Sequence, residues 1–287
     1  MHPAAIVLVL LAAFCHAGWN LMAKRLSGYD EVAFLWLAGV CSAVLYGPIA
    51  LIVVLLQRPV FGWAQLGFIL GSSVLHLAYF LLLQRGYRSG DLSLVYPLAR
   101  GTGPMLSSLA AVLFFGERPG AWGTAGILLI GAGVFALGLP DKRLTSLTAV
   151  WFGLATGLFI AAYTIWDKHA VSALAIPPLV FDWGGDLGRV SMLTPIALRG
   201  RRRGTIHTLW TKHRRYLLAC SVMMPLSYIL VLTALRFSDV SAIAPAREIS
   251  VLIGVILGGR LLAEGDLPRR LLAAGAIATG VVAIALG

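Results

Sequence analysis

From its first residues the chain is a succession of apolar runs about 20 residues long, separated by short stretches where the charges collect. Ten such runs predict ten helices, at 3–23, 32–56, 64–86, 92–115, 120–139, 146–166, 177–198, 216–235, 240–262 and 271–286. A run of that length crosses a hydrocarbon core about 30 Å thick. Polar and apolar side chains do not alternate within the runs, which excludes a β-barrel. Only the connection 199–215 is long, so no extramembrane domain fits between the spans. The first run, Pro3 to Met22, lacks a basic leader and is as long as a span, so it reads as a membrane helix rather than a signal peptide.

Composition agrees. The 287 residues are 59% hydrophobic and 12% charged, with a mean hydropathy of +0.87. A soluble domain carries about 25% charged residues, so the chain is an all-α integral membrane protein. The net charge of +11 suggests a nucleic-acid surface until its placement is considered. Fifteen lysines and arginines fall in the odd-numbered connections, among them Lys24, Arg88, Lys142 and the cluster 199–215, and only four in the even-numbered ones. That asymmetry sets topology, and it predicts odd connections in the cytoplasm with both termini outside, in the plasma membrane of a bacterial inner-membrane protein. Nucleic acid is not an expected partner; membrane lipid is. Cys15, Cys41 and Cys220 all lie within apolar runs, so no disulfide framework is expected.

The pattern occurs twice. Gly18-Trp19-Asn20-Leu21-Met22-Ala23-Lys24 lines up with Ala162-Tyr163-Thr164-Ile165-Trp166-Asp167-Lys168. Tyr79 matches Tyr228, Asp91-Leu92-Ser93 matches Asp239-Val240-Ser241, and Glu117 matches Glu264. Most telling, Tyr96-Pro97-Leu98-Ala99-Arg100 matches Ala244-Pro245-Ala246-Arg247-Glu248. The halves 1–143 and 144–287 thus hold five spans each. An odd number turns the second half over, predicting two inverted five-helix repeats about an axis in the membrane plane.

With these motifs the chain resembles the drug/metabolite transporter superfamily and, within it, the ten-span EamA type. The aromatic-to-lysine ends of spans one and six, the proline-containing spans four and nine, and the Phe115-Gly116-Glu117-Arg118 junction carry the likeness. The resemblance implies secondary transport of small metabolites, often export, without ATP hydrolysis and without a cofactor.

Charges inside spans point to chemistry. A charge at mid-bilayer costs at least ~2.5 kcal/mol, so Arg100 and Arg247 are expected to face a cavity. Prolines beside them predict broken helices, tolerated where freed backbone meets protein or water. His16 and Asn20 with Trp19 share a face of span one, and His76 with Tyr79 a face of span three. Tyr163 ends span six, Asp182 and Asp186 stand four apart on span seven, and Tyr96 and Glu248 adjoin the arginines. Together these twelve residues form the candidate substrate site.

An arginine holds a carboxylate or phosphonate through two parallel hydrogen bonds. Asp182, Asp186 or Glu248 could take an ammonium, and the aromatics an apolar body or a cation. Amino acids and aminophosphonates satisfy all three demands, whereas lipophilic cations satisfy only two. Export of the former is therefore the expected function, with a multidrug exporter of the same fold, or a non-transporting scaffold or sensor, as alternatives. A proton is the candidate coupling ion, through Glu248, Asp182 or Asp186. No Walker loop, metal-ligand set or catalytic constellation occurs, so neither an ATP-driven pump nor an enzyme is indicated. Each residue also has a structural reading. Asp186 and Arg189 could neutralise each other, Lys24 and Lys168 could snorkel to headgroups, and Glu117 could cap a helix.

Overall fold

A computed structural model describes the backbone of residues 1–26, 28–89, 92–138, 147–250, 252–253 and 267–286. The predicted span nine beyond residue 253, Asp91 and Glu264 lie outside the described residues, as do the side chains of Tyr96, Pro97 and Lys24. Among the described residues there are ten helices: α1 Pro3–Lys24, α2 Glu31–Gln57, α3 Trp63–Ser89, α4 Leu92–Phe115, α5 Ala121–Gly138, α6 Leu147–Ser172, α7 Pro178–Ala197, α8 Arg202–Leu235, α9 Val240–Ala246 and α10 Leu267–Leu286. The first seven fall within a few residues of the predicted runs, except that α6 continues past its predicted end.

Six of them, α1, α2, α3, α4, α6 and α8, are long and apolar enough to cross a membrane. Apolar parts of α5 and α10 form shorter helices of the same kind. Pro178–Ala197 is as long but carries Asp182, Asp186 and Arg189, so α7 is the helix whose charges must be sheltered by its neighbours. Large apolar side chains such as Leu56, Leu113, Phe114 and Leu158 stay exposed. A belt of this kind is at home only in lipid.

Local chemistry fixes the ends. Pro3 starts α1, and the Asp30 carboxylate accepts from the Ala33 amide to start α2. Asp30 is also held by Arg202 Nε at 3.1 Å to each oxygen, which ties the start of α8 to the start of α2. The expectation that 199–215 is a loop is therefore wrong. The chain is helical from Arg202, with a bend at His213 where φ is −127° and ψ 17°. Leu209 and Leu217 are fully buried against Leu26, Ala33 and Leu37. Charge density hid a helix whose apolar positions pack inward.

Glycines set the closest crossings. A Cβ on Gly126 of α5 would stand 2.6 Å from the Gly280 carbonyl oxygen of α10, and one on Gly280 would stand 2.8 Å from that of Gly126. A Cβ on Gly157 of α6 would collide with the Thr102 hydroxyl of α4. Backbones approach closely in membranes through such small residues. The main helix pairs are α5 with α10, α4 with α6, α1 with α8, α3 with α6, α2 with α7, α4 with α5, α2 with α8, α3 with α7 and α4 with α9.

The two proline phrases behave differently. Helix α4 runs unbroken through Pro97, against expectation. Pro97 is only the sixth residue of α4, where one absent N–H leaves a single carbonyl near the helix end to satisfy. Helix α9 does break. Arg247 N still donates to Ile243 O at 3.1 Å, but Glu248 N donates to Pro245 O at 2.9 Å and Ser250 N to Arg247 O at 3.1 Å. The spacing tightens from four residues to three, and the two charged side chains sit on the tightened turn.

The turn between α8 and α9 is held from outside by two charges. Both oxygens of buried Glu117 accept at 2.8 Å from the amides of Val240 and Ser241, capping α9 as a helix N-terminus favours. Lys168 Nζ donates to Leu235 O at 2.6 Å and Ser238 O at 2.9 Å at the end of α8. Lys168 therefore does not snorkel to headgroups; unsatisfied carbonyls inside the protein hold it.

Candidate functional site

A cavity of about 450 Å³ opens between the helices. Helix α1 contributes His16, Trp19 and Asn20, α3 His76 and Tyr79, and α4 Arg100. Tyr163 comes from α6, Asp182, Asp186 and Arg189 from α7, Tyr228 from α8, and Arg247 from the broken α9. Ten of the twelve predicted side chains thus meet around one space. The Tyr96 side chain is outside the described residues, and Glu248 does not line the cavity. Trp166, at the end of the same span, faces outward and donates to Phe68 O at 2.8 Å.

The two arginines have different surroundings. Arg100 is 7% exposed, and its Nε lies 3.2 Å from Oε2 of Glu248, which is 1% exposed. Its Nη2 lies 3.3 Å from His16 Nε2 and 3.4 Å from the Ser250 hydroxyl. Glu248 therefore serves as the counter-charge of Arg100 from behind the wall. Arg247 is only partly buried, forms no ion pair among the described residues, and stands 5.9 Å from the centre of the Tyr228 ring. One guanidinium is neutralised; the other faces the cavity as a net charge. Sequence position could not tell them apart.

Across the cavity lies the α7 cluster. Arg189 Nη2 donates to Asp186 Oδ1 at 2.6 Å and is 3.8 Å from Asp182 Oδ1. The Ser42 hydroxyl of α2 donates to the other oxygen of Asp186 at 2.6 Å. Asp186 is thus satisfied on both oxygens, as its structural reading anticipated, while Asp182 holds the looser contact. Two carboxyl groups share one guanidinium on this wall.

The third group joins the predicted His76 and Tyr163 to Asp167, which the sequence places only at the end of span six. Asp167 of α6 is fully buried, and Tyr228 donates its hydroxyl to Oδ2. His76 Nε2 is 3.9 Å from the same oxygen, and the His76 ring stacks on Tyr163 at 4.1 Å. An acid just before a lysine at a span end reads as an interfacial residue. Only the tertiary packing of α3 and α8 on α6 carries it inside. His16 differs from His76: Trp19 Nε1 lies 3.3 Å from its Nδ1 and Arg100 lies against its Nε2, so donors face both ring nitrogens.

Comparison with known proteins bears on this arrangement. Residues 3–139 match the EamA-like transporter family, so the resemblance read from the repeated phrases holds for the first half of the chain. The long apolar helices and this match support a multi-pass membrane protein, and the matched family is one of transporters. A solved structure titled "Crystal structure of protein" is similar over 100% of this chain and 98% of its own, with a TM-score of 0.77 at 13% identity. That likeness is one of fold, and it runs over the whole chain. No curated protein matches the sequence.

Proposed function

We propose that this chain, an EamA-like unit in its first half, is a secondary transporter of a small polar or zwitterionic metabolite with a carboxylate or phosphonate group. Arg247 holds the anion, Asp182 and its wall take an ammonium, and Trp19, Tyr79 and Tyr163 pack the body between them. The observation that carries this reading is the Arg247 guanidinium, which forms no ion pair among the described residues and lines the cavity opposite the carboxylates of α7. Asn20 and His16 complete the rim beside the neutralised Arg100.

Movement is by alternating access between two inverted repeats, 1–143 and 144–287. Helix pairing supports it. Advancing each helix by five turns α1 with α8 into α6 with α3, and α2 with α8 into α7 with α3. The pairs α2 with α7, α4 with α9 and α5 with α10 map onto themselves. Contacts also exchange: Gly126 meets Gly280 while Gly133 meets Ala273, and an offset of 147 residues turns one pair into the other. The broken α9 fits a binding site built on a discontinuous helix. Export is the expected direction, and the charge bias places the termini outside the plasma membrane.

Counterflow in proteoliposomes tests the reading, using labelled amino acids, aminophosphonates and a lipophilic cation. Arg247→Ala should cut zwitterion flux about tenfold or more, the ~1.5–3 kcal/mol of a charged hydrogen-bond pair. Arg247→Lys should rescue poorly for want of the planar fork. Flux of the lipophilic cation alone would favour the multidrug alternative, which the aromatic and carboxylate lining also suits. No flux of any solute would leave the scaffold reading.

A further inference from the structure

Asp167 is buried without a full complement of partners. Oδ2 accepts from Tyr228, whereas Oδ1 is sealed from solvent and accepts no hydrogen bond of normal geometry among the described residues, although the Ser72 hydroxyl faces the carboxylate. An ionised carboxylate left so is costly. The histidine beside it has the complementary deficit. His76 Nδ1 lies 2.9 Å from the Ser72 carbonyl oxygen, which can only accept, so Nδ1 carries the hydrogen. The neutral ring then presents its bare Nε2 to Asp167 Oδ2 at 3.9 Å. Two acceptors face each other at a distance beyond a hydrogen bond, and a proton on either would draw them together.

We propose that Asp167 and His76 together form a proton-binding site that couples transport to a pH gradient. The proton comes from water in the cavity, which His76 lines with 15% of its side chain exposed, and binds at Nε2 or the facing carboxylate oxygen. No other bond forms or breaks. His16 does not share the role, because its ring faces the donors Trp19 Nε1 and Arg100 Nη2 and forms no ion pair with a carboxylate among the described residues.

Charged groups on every neighbouring helix face the pair. From α7 come Asp182 and Arg189, and from α9 comes Arg247. Tyr163 of α6 and Tyr228 of α8 enclose the ring, with Tyr79 of α3 and Arg100 of α4 further around the cavity. Tyr228 is the link. Its hydroxyl holds Asp167, and its ring lies under the Arg247 guanidinium. Proton uptake makes the cavity more positive and so tightens an anion at Arg247, and an anion there tightens the proton equally. This coupling rests on the proposed transport reading, whereas proton binding itself does not.

The test uses the full chain in lipid nanodiscs. Infrared difference spectra between about pH 5 and about pH 9 should show one carboxylic-acid or imidazolium transition that Asp167→Asn and His76→Gln each remove or displace by at least about tenfold in proton concentration. The surface variant Asp30→Asn should leave it in place. Absence of such a transition in the wild type, or its persistence in both variants, overturns the site; if Asp167→Asn fails to fold, His76→Gln decides alone. Melting curves with alanine or aminomethylphosphonate then test coupling. Ligand stabilisation should grow as pH falls in the wild type and stay flat in the pair variants. A flat wild-type response overturns the coupling. A ligand that stabilises at no pH counts against the Arg247 reading and leaves the infrared result to stand by itself.

Discussion

Truncating the two arginines should have opposite consequences for stability and for binding. Arg100 Nε and Glu248 Oε2 are 3.2 Å apart, and both residues are buried. At an effective dielectric near 20, a charge pair at that distance attracts with about 5 kcal/mol. Removing one partner of a buried pair costs about 3–5 kcal/mol, because the other charge is left in a poorly solvating interior. At about 2–4 °C per kcal/mol, Arg100→Ala should lower the melting temperature by roughly 6–20 °C. Arg247→Ala loses no ion pair among the described residues, only its contact with the Tyr228 ring, worth about 0.5–2 kcal/mol. Its melting temperature should fall by a few degrees at most. Tryptophan fluorescence melts in detergent, run as a cycle of Arg100→Ala, Glu248→Gln and the double variant, separate the terms. The double variant should recover most of the loss, since it buries no lone charge. Equal losses for the two arginines, or a double variant no better than Arg100→Ala, would refute the assignment of Glu248 as a counter-charge. From sequence alone, Arg100→Ala is expected to stop transport in a folded protein; the pairing changes that expectation to lost stability.

Other parts of the fold have their own tests. Glu117→Ala should destabilise by about 2–4 kcal/mol, since two amides at the start of α9 lose charged acceptors, and hydrogen exchange should rise at Val240 and Ser241. Gly126→Val should lower the melting temperature by the ~1–3 kcal/mol of overpacking, with Gly280→Val adding little more because both force open the same α5–α10 crossing. A cysteine at Arg202 should be labelled from the cytoplasmic side only; labelling from outside would reverse the orientation argued from charge.

Much of this fold is written in one-dimensional order. Long apolar runs give helices wherever they occur, so α1 to α7 begin close to where hydropathy places them. The same logic failed at 202–215, where basic side chains on the outer face of α8 mask Leu209 and Leu217 on the inner one. It also treated Pro97 and Pro245 alike, although a proline's effect depends on how far it sits from a helix end and on what surrounds the freed carbonyl. Duplicated arginines marked the cavity correctly because intramembrane charge needs shelter. Which arginine is neutralised depends on Glu248 lying against Arg100 of another helix, a relation between positions 148 residues apart that no local pattern encodes. The sequence places Asp167 at the end of span six, but its contacts with His76 and Tyr228 arise only where α3 and α8 close over it.

The central claim is that Arg247, without an ion pair among the described residues, presents its guanidinium to the substrate's anionic group. Titration calorimetry of the detergent-purified chain and its Arg247→Ala variant, with amino acids, aminophosphonates and a lipophilic cation, tests it most directly. The account predicts zwitterion binding that weakens about 10-fold to 100-fold in the variant, with cation binding unchanged. Zwitterions bound with equal affinity by both proteins would contradict it.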